Sequence, residues 1–356
     1  MSAPTPANPF AKTKAKPGEG EIVLSLLPPG KQILITFEYQ YPLKLISPDP
    51  HIIAVNRSSA DSESPEQIPI TTVFLLTYGG GLLASDSINL TVTLEPSTRL
   101  ALLTQGSTKI FKAASSSEPS PSASSLLTGP KQPPTSQTLN VKLGSHSALC
   151  YLPDPNQPYA NSVYEQRQTF YVDPFGSSSL LFLDWVSEGR SARGEHWTLT
   201  SWRGRNEVRE FDETSKGRLL LRDSLLLFGD ELASKTDGKG ILGTLVIYGP
   251  MFKGLGEWFM KKFKAVPRIG AKNWQRDGSK TPTIVEEREG YFAQPSKPQS
   301  VEIDGLLWTA AQVRGFVLVK FGAADVDGAR RWLGDMLKRE GSVEREFGHQ
   351  ALLCMR

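Results

Sequence analysis

The sequence predicts a mainly β protein with about two α-helices near its C-terminus, and three observations lead there. Apolar residues recur at a period of two along most of the chain, which places alternate side chains on one buried face of a strand. Turn formers separate these runs at intervals of roughly 10–20 residues, the layout of stacked antiparallel sheets. Helical spacings of three and four are confined to the last third.

The elements follow in order. Ile33, Ile35, Phe37 and Tyr39 alternate with Gln32, Leu34, Thr36 and Glu38. The clearest strand sets Ile88, Leu90, Val92 and Leu94 against Asn89, Thr91 and Thr93. Residues 170–172, 180–185, 197–202 and 219–227 are further expected strands. Pro250 is placed to open a helix with Leu255, Trp258, Phe259 and Phe263 on one side, weakened by Gly254 and Gly256. A stronger helix follows Asp325, its expected N-cap. There Ala329, Trp332, Leu333, Met336 and Leu337 form a stripe opposite Arg330, Arg331 and Lys338, the pattern that packs a helix against a sheet.

One β-rich domain is expected over residues 21–345. A Pro-, Ala- and Lys-rich extension, expected to be disordered, precedes it over residues 1–20, and a C-terminal tail follows over residues 346–356. Three insertions interrupt the domain. Residues 56–67 are polar and acidic, and 114–136 are dominated by Ser and Pro, too poor in apolar groups to offset their ordering entropy. Residues 270–300 mix Lys, Arg, Glu, Pro and Gly, and read as a long loop.

Composition narrows the function. Lys and Arg number 40 against 37 Asp and Glu, with no basic block, so nothing collects phosphates and nucleic acid is not expected as a partner. No stretch approaches the roughly 18–20 apolar residues that span a bilayer, and the N-terminus lacks an apolar signal core, so a cytoplasmic protein without a membrane partner is expected. The two cysteines, Cys150 and Cys354, form no CxxC pattern and read as unpaired buried thiols in a reducing compartment.

Chemical motifs are mostly negative. Gly278-Ser279-Lys280-Thr281 ends like a phosphate loop but lacks the upstream glycine and the strand-to-helix setting. His51, His146, His196 and His349 are isolated, without a second ligand at metal spacing. No G-x-S-x-G elbow is present. Two clusters remain. Asp184, Glu188 and Glu195 lie close together, and Asp184 and Glu188 would face one side of a strand. These acids are read either as structural, bonded to a turn or to Arg190, or as a transient metal relay or a glycosidase-type pair. Gly79, Gly80 and Gly81 precede the best strand, where positive φ and close backbone approach are the natural use of glycine.

These blocks resemble the UreD (UreH) family of urease accessory proteins in its eukaryotic form. Gly79-Gly80-Gly81-Leu82-Leu83-Ala84-Ser85-Asp86, the strand after it, and Thr104-Gln105-Gly106-Ser107-Thr108-Lys109-Ile110-Phe111 are similar to that family's most characteristic segment. Tyr41-Pro42-Leu43-Lys44-Leu45, the Leu152-Pro153 turn, the run from Leu183-Asp184-Trp185 to Gly189-Arg190 and Gly194-Glu195, and the last strand and helix follow in the family's order. Ala84-Ser85 stand where many members keep Gly-Gly. The resemblance implies stacked sheets in a β-helix-like arrangement and a non-catalytic scaffold that holds no tightly bound cofactor. It also implies binding to the urease apoprotein and a UreF-like protein, with a UreG-like GTPase joining through the latter, and assistance in nickel delivery. Asp86, Asp184 and Glu188 are the expected transient nickel contacts, since hard carboxylate oxygens release nickel readily. The competing reading is a β-helical or β-sandwich carbohydrate enzyme using Asp184 with Glu188 or Glu195.

Overall fold

The computed structural model describes residues 16–55, 66–112, 133–211, 217–228, 231–266 and 305–356. Residues 1–15, 56–65, 114–132 and 270–300 of the expected extension and insertions lie outside the described residues, as does the phosphate-loop-like stretch. The first strands are β1 (Glu19–Leu27), β2 (Lys31–Tyr39), β3 (Leu43–Ile46), β4 (His51–Val55), β5 (Glu66–Thr77) and β6 (Gly81–Leu82). Next come β7 (Ser87–Leu94), β8 (Arg99–Leu103), β9 (Thr108–Ile110), β10 (Thr135–Leu143), β11 (Ala148–Tyr151) and β12 (Asn156–Pro158). β13 (Val163–Val172), β14 (Ser179–Ser187), β15 (Ser201–Glu210) and β16 (Leu219–Phe228) lead to the short α1 (Leu232–Lys235) and β17 (Ile241–Tyr248). The chain continues with α2 (Lys253–Lys264), β18 (Leu307–Val313), β19 (Phe316–Ala323), α3 (Val326–Glu340) and α4 (Ser342–Phe347).

Two large sheets stack on each other, one in the order β16-β15-β13-β10-β7-β1-β2 and the other β18-β19-β17-β14-β11-β8-β5-β3. Their inner strands are parallel: β1, β7, β10, β13 and β15 in the first sheet, and β5, β8, β11 and β14 in the second. Antiparallel strands close both ends. Between β7 and β15 the chain alternates between the sheets, so β7–β8, β10–β11 and β13–β14 are successive coils, with a short ladder of β6, β9 and β12 at one corner. This corrects the antiparallel layout read from turn spacing. Parallel neighbours need a crossover, and here the crossover is a strand of the other sheet, so the short turns join different sheets. The β-helix-like stacking implied by the resemblance is what the structure shows.

Register stacks apolar residues in rows. Val92, Val141, Phe170 and Val208 line up across the first sheet, all fully buried. Phe170 stacks on Phe182 of the second sheet, with ring centroids 4.3 Å apart. A second core covers the other face of the second sheet, where α2 contributes Leu255 and Phe259 and α3 contributes Ala329, Trp332, Leu333 and Leu337. Asp325 caps α3 as expected, accepting from the Gly328 amide at 2.6 Å. Residues His349–Met355 form a 3-10 turn that buries Ala351, Leu352, Cys354 and Met355 in the same core. No helix among the described residues is long and apolar enough to cross a membrane.

Two expected strands shift. Residues 197–202 are not one strand: β15 starts at Ser201, and Trp197 and Leu199 are buried in the loop before it. β13 starts at Val163, well before residue 170, because Tyr164, Gln166 and Gln168 point inward and interrupt the apolar alternation. Polar side chains inside a sandwich need a reason.

Candidate functional site

Most signature positions hold the backbone together. Gly79 and Gly80 adopt φ of 72° and 75°, and a Cβ on Gly81 would meet the Lys109 carbonyl oxygen at 2.6 Å. Asp86 closes the turn before β7, its Oδ2 accepting from the Leu83 amide at 2.8 Å. Thr104 donates through its hydroxyl to Asp154 Oδ2 at 3.1 Å and accepts from the Asp154 amide at 2.6 Å. The Gly106 amide donates to the same carboxylate at 2.8 Å, and Arg330 of α3 pairs with its other oxygen. Trp185 Nε1 donates to the Pro153 carbonyl at 2.9 Å, fixing the Leu152-Pro153 turn on β14. Arg190 grips Glu195 with two nitrogens and lies over the Tyr159 ring at 4.0 Å, between turns at Gly189 and Gly194, both of positive φ. Gln105 and Lys109 are exposed and Thr108 is half-buried beside the corner ladder.

The inward polar residues converge elsewhere. A pocket of about 820 Å³ lies between the sheets, bounded by β14, β16, β17, β18 and β19. Asp184, Thr244 and Lys320 stand abreast on β14, β17 and β19. In the first sheet Asn206 and Asp223 stand abreast on β15 and β16. Asp184 accepts from Gln166 Nε2 at 2.8 Å and from Asn206 Nδ2 at 2.6 Å, and Gln166 in turn accepts from Asn156 Nδ2 at 3.0 Å. Asp223 accepts from Lys320 Nζ at 2.6 Å and from the Thr244 hydroxyl at 3.2 Å. Gly204 keeps the space open: a Cβ there would stand 3.0 Å from Trp202 Nε1 and 3.8 Å from Asp184 Oδ2. Asn206 Oδ1, Gln168 Oε1 and Trp202 Nε1 are buried with no partner among the described residues.

Electrostatics set Asp184 apart. Burial raises its carboxyl above the ordinary carboxylate value, while the Asn206 and Gln166 amides pull it back down. Asp223 adds an upward push and Lys320 a downward one. The residue is half-buried and lines the pocket, so a cation arriving from solvent meets a carboxylate that no arginine or lysine among the described residues pairs with. The thiols are different. Both cysteines are free and buried, and burial pushes Cys354 up to about 12 and Cys150 higher still, so neither supplies a thiolate.

Of the three acids read as nickel contacts, the structure brings only Asp184 to the pocket. β14 ends at Ser187, so Glu188 leaves its face and meets His196 Nδ1 at 2.9 Å, while Asp86 serves its turn. Arg190 is not the partner of Asp184, because Glu195 occupies it. Glu188 and Glu195, the acids that the carbohydrate-enzyme reading sets beside Asp184, are held by His196 and Arg190, and neither lines the pocket. Asp223, Lys320, Asn206 and Gln166 escaped the sequence reading because no local motif joins residues so far apart in the chain. Their one signal is a polar residue at an inward strand position. Among the described residues no group of three or more His, Cys, Asp and Glu side chains is arranged to hold a metal ion.

Comparison with known proteins bears on this arrangement. The family described as UreD urease accessory protein matches residues 17–354. A Schizosaccharomyces pombe protein named as an uncharacterized ureD-like urease accessory protein is 26% identical over 301 residues, covering 83% of this chain and 84% of the relative. Urease accessory protein 4 of Cryptococcus neoformans is 28% identical over 322 residues, covering 85% and 84%. Urease accessory protein D of Oryza sativa subsp. indica is 26% identical over 263 residues, covering 73% and 72%.

Proposed function

The chain belongs to the UreD urease accessory protein family and so to urease maturation, and on that premise we propose that it is a non-catalytic scaffold that handles nickel in transit. It binds the urease apoprotein and a UreF-like protein, through which a UreG-like GTPase joins, and it passes the ion toward the urease active site. The observation that supports this best is Asp184, a carboxylate set inside a scaffold, held by neutral amides and open to the inter-sheet pocket. Two carboxylates with amide and hydroxyl oxygens suit an ion that must be released; the thiolate or imidazole cluster of a permanent site would retain it. Asp223 takes the place of Glu188 and Asp86 as the second contact.

Deleting the gene in its host tests the reading. Urease activity should vanish while urease subunit levels stay constant, and reintroducing the wild-type chain should restore it. Unchanged urease activity in the deletion strain refutes the proposal.

A further inference from the structure

We propose that Lys320 is a displaceable counter-ion that occupies the inter-sheet station when no nickel is there and sets how weakly the station holds a divalent cation. The inference rests on the nickel reading above and deepens it to the control of occupancy. Lys320 Nζ lies 2.6 Å from Asp223 Oδ1; its own side chain is 49% exposed, while that of Asp223 is 13% exposed. A lysine at such a rim swings outward on its four-carbon stem while the carboxylate stays in place. The ammonium has three donors and no lone pair, so it competes with a metal ion and never ligates one.

A second observation points to a cation at the same place. Asn206 is 3% exposed, donates to Asp184 and stands abreast of Asp223, and its amide oxygen has no partner among the described residues. Gln168, abreast of Asn206 on β13, likewise has an amide oxygen without a partner among the described residues. The Asn206 oxygen, a neutral acceptor unpaired beside two carboxylates, suits a divalent cation and would repel an anion. Carboxylate, amide and hydroxyl oxygens are also the hard set that binds such an ion loosely. With the ammonium docked the two carboxylates carry one uncompensated charge. An entering divalent ion displaces the ammonium to solvent, and the returning ammonium expels the ion. No covalent bond changes, and the exchange keeps the well shallow enough for transit.

The test uses the full-length protein and Ni2+ alone in equilibrium dialysis, with urease activation in the host as a second readout. Lys320→Met and Lys320→Gln should each bind Ni2+ about tenfold more tightly, the effect of removing one nearby positive charge. Both should support less urease activation, because the ion is retained. Lys320→Arg should bind close to wild type, and adding Asp223→Asn to Lys320→Met should cancel the gain. Circular-dichroism melts matching wild type would establish that the half-exposed position tolerates these changes. Binding by the neutral variants no tighter than wild type, no measurable binding in either, or tighter binding with undiminished activation overturns the inference. The nickel reading itself fails separately, if Asp184→Asn and Asp223→Asn both leave urease activation at the wild-type level.

Discussion

Two aspartates on consecutive coils show how one residue type does two jobs. Asp154 is 7% exposed and saturated: Thr104, the Gly106 amide and Arg330 of α3 all donate to it. Among the described residues Asp184 receives the amides of Gln166 and Asn206, and Lys320, whose charge lowers its carboxyl, is engaged by Asp223. The first charge fastens a helix to the β-coil. The second is held in readiness at the edge of a pocket. A buried carboxylate with its own arginine is a structural part, and one supported only by neutral donors in reach of solvent is suited to a mobile cation.

Arg330→Met should break the first half of this contrast most strongly. It strands the Asp154 charge under α3 and should cost about 3 kcal/mol, read as a lower urea midpoint at unchanged slope. A smaller loss comes from Gly81→Ala, where the new methyl meets the Lys109 carbonyl: about 1–3 kcal/mol by the same measurement. Asp184→Asn should do the reverse. The folded carboxyl holds its proton to higher pH than the unfolded chain does, so its contribution to stability is full in acid and falls as pH rises through the raised value. The amide variant lacks this decline. Its melting temperature should match wild type in acid and exceed it at neutral pH, while urease activation in the host is lost. A neutral-pH melting temperature below wild type would place Asp184 with Asp154 and erase the contrast. Glu195→Gln gives the smallest effect, under about 1 kcal/mol, because the Arg190 pair is partly solvated. Hydrogen bonding to Arg190 lowers the Glu195 carboxyl, so that small contribution is present above the ordinary carboxylate range and is lost as pH falls through the lowered value.

Legibility in the sequence followed locality. The strand at Ile88–Leu94 alternates cleanly because every inward position is apolar, and the α3 stripe after Asp325 is equally local. The glycine block was readable in part: the positive φ of Gly79 and Gly80 is a local demand, whereas Gly81 answers to the distant Lys109 carbonyl. Sheet membership was not, since a turn of given length does not record whether the next strand joins the same sheet or the opposite one. The pocket was hidden for a related reason. Asp184 stood out as an acid between Leu183 and Trp185, but its partners Asn206, Asp223, Thr244 and Lys320 meet it only through register across five strands. Gln166, which holds Asp184, and Gln168 even obscured their own strand, because inward polar positions spoil the apolar pattern.

The coiled topology also has a kinetic side. Each parallel strand needs the preceding coil as its template, and the residues around the pocket reach from Gln166 on β13 to Lys320 on β19. Contacts between segments so distant in sequence repay their loop-closure entropy only after the intervening chain is in place. The pocket therefore matures late on the folding route, after the β7–β11 coils. Pulse-labelled hydrogen exchange should protect the amides of Leu90 and Val141 before those of Thr244 and Lys320. A partner that grips this rim would be checking that its scaffold is finished.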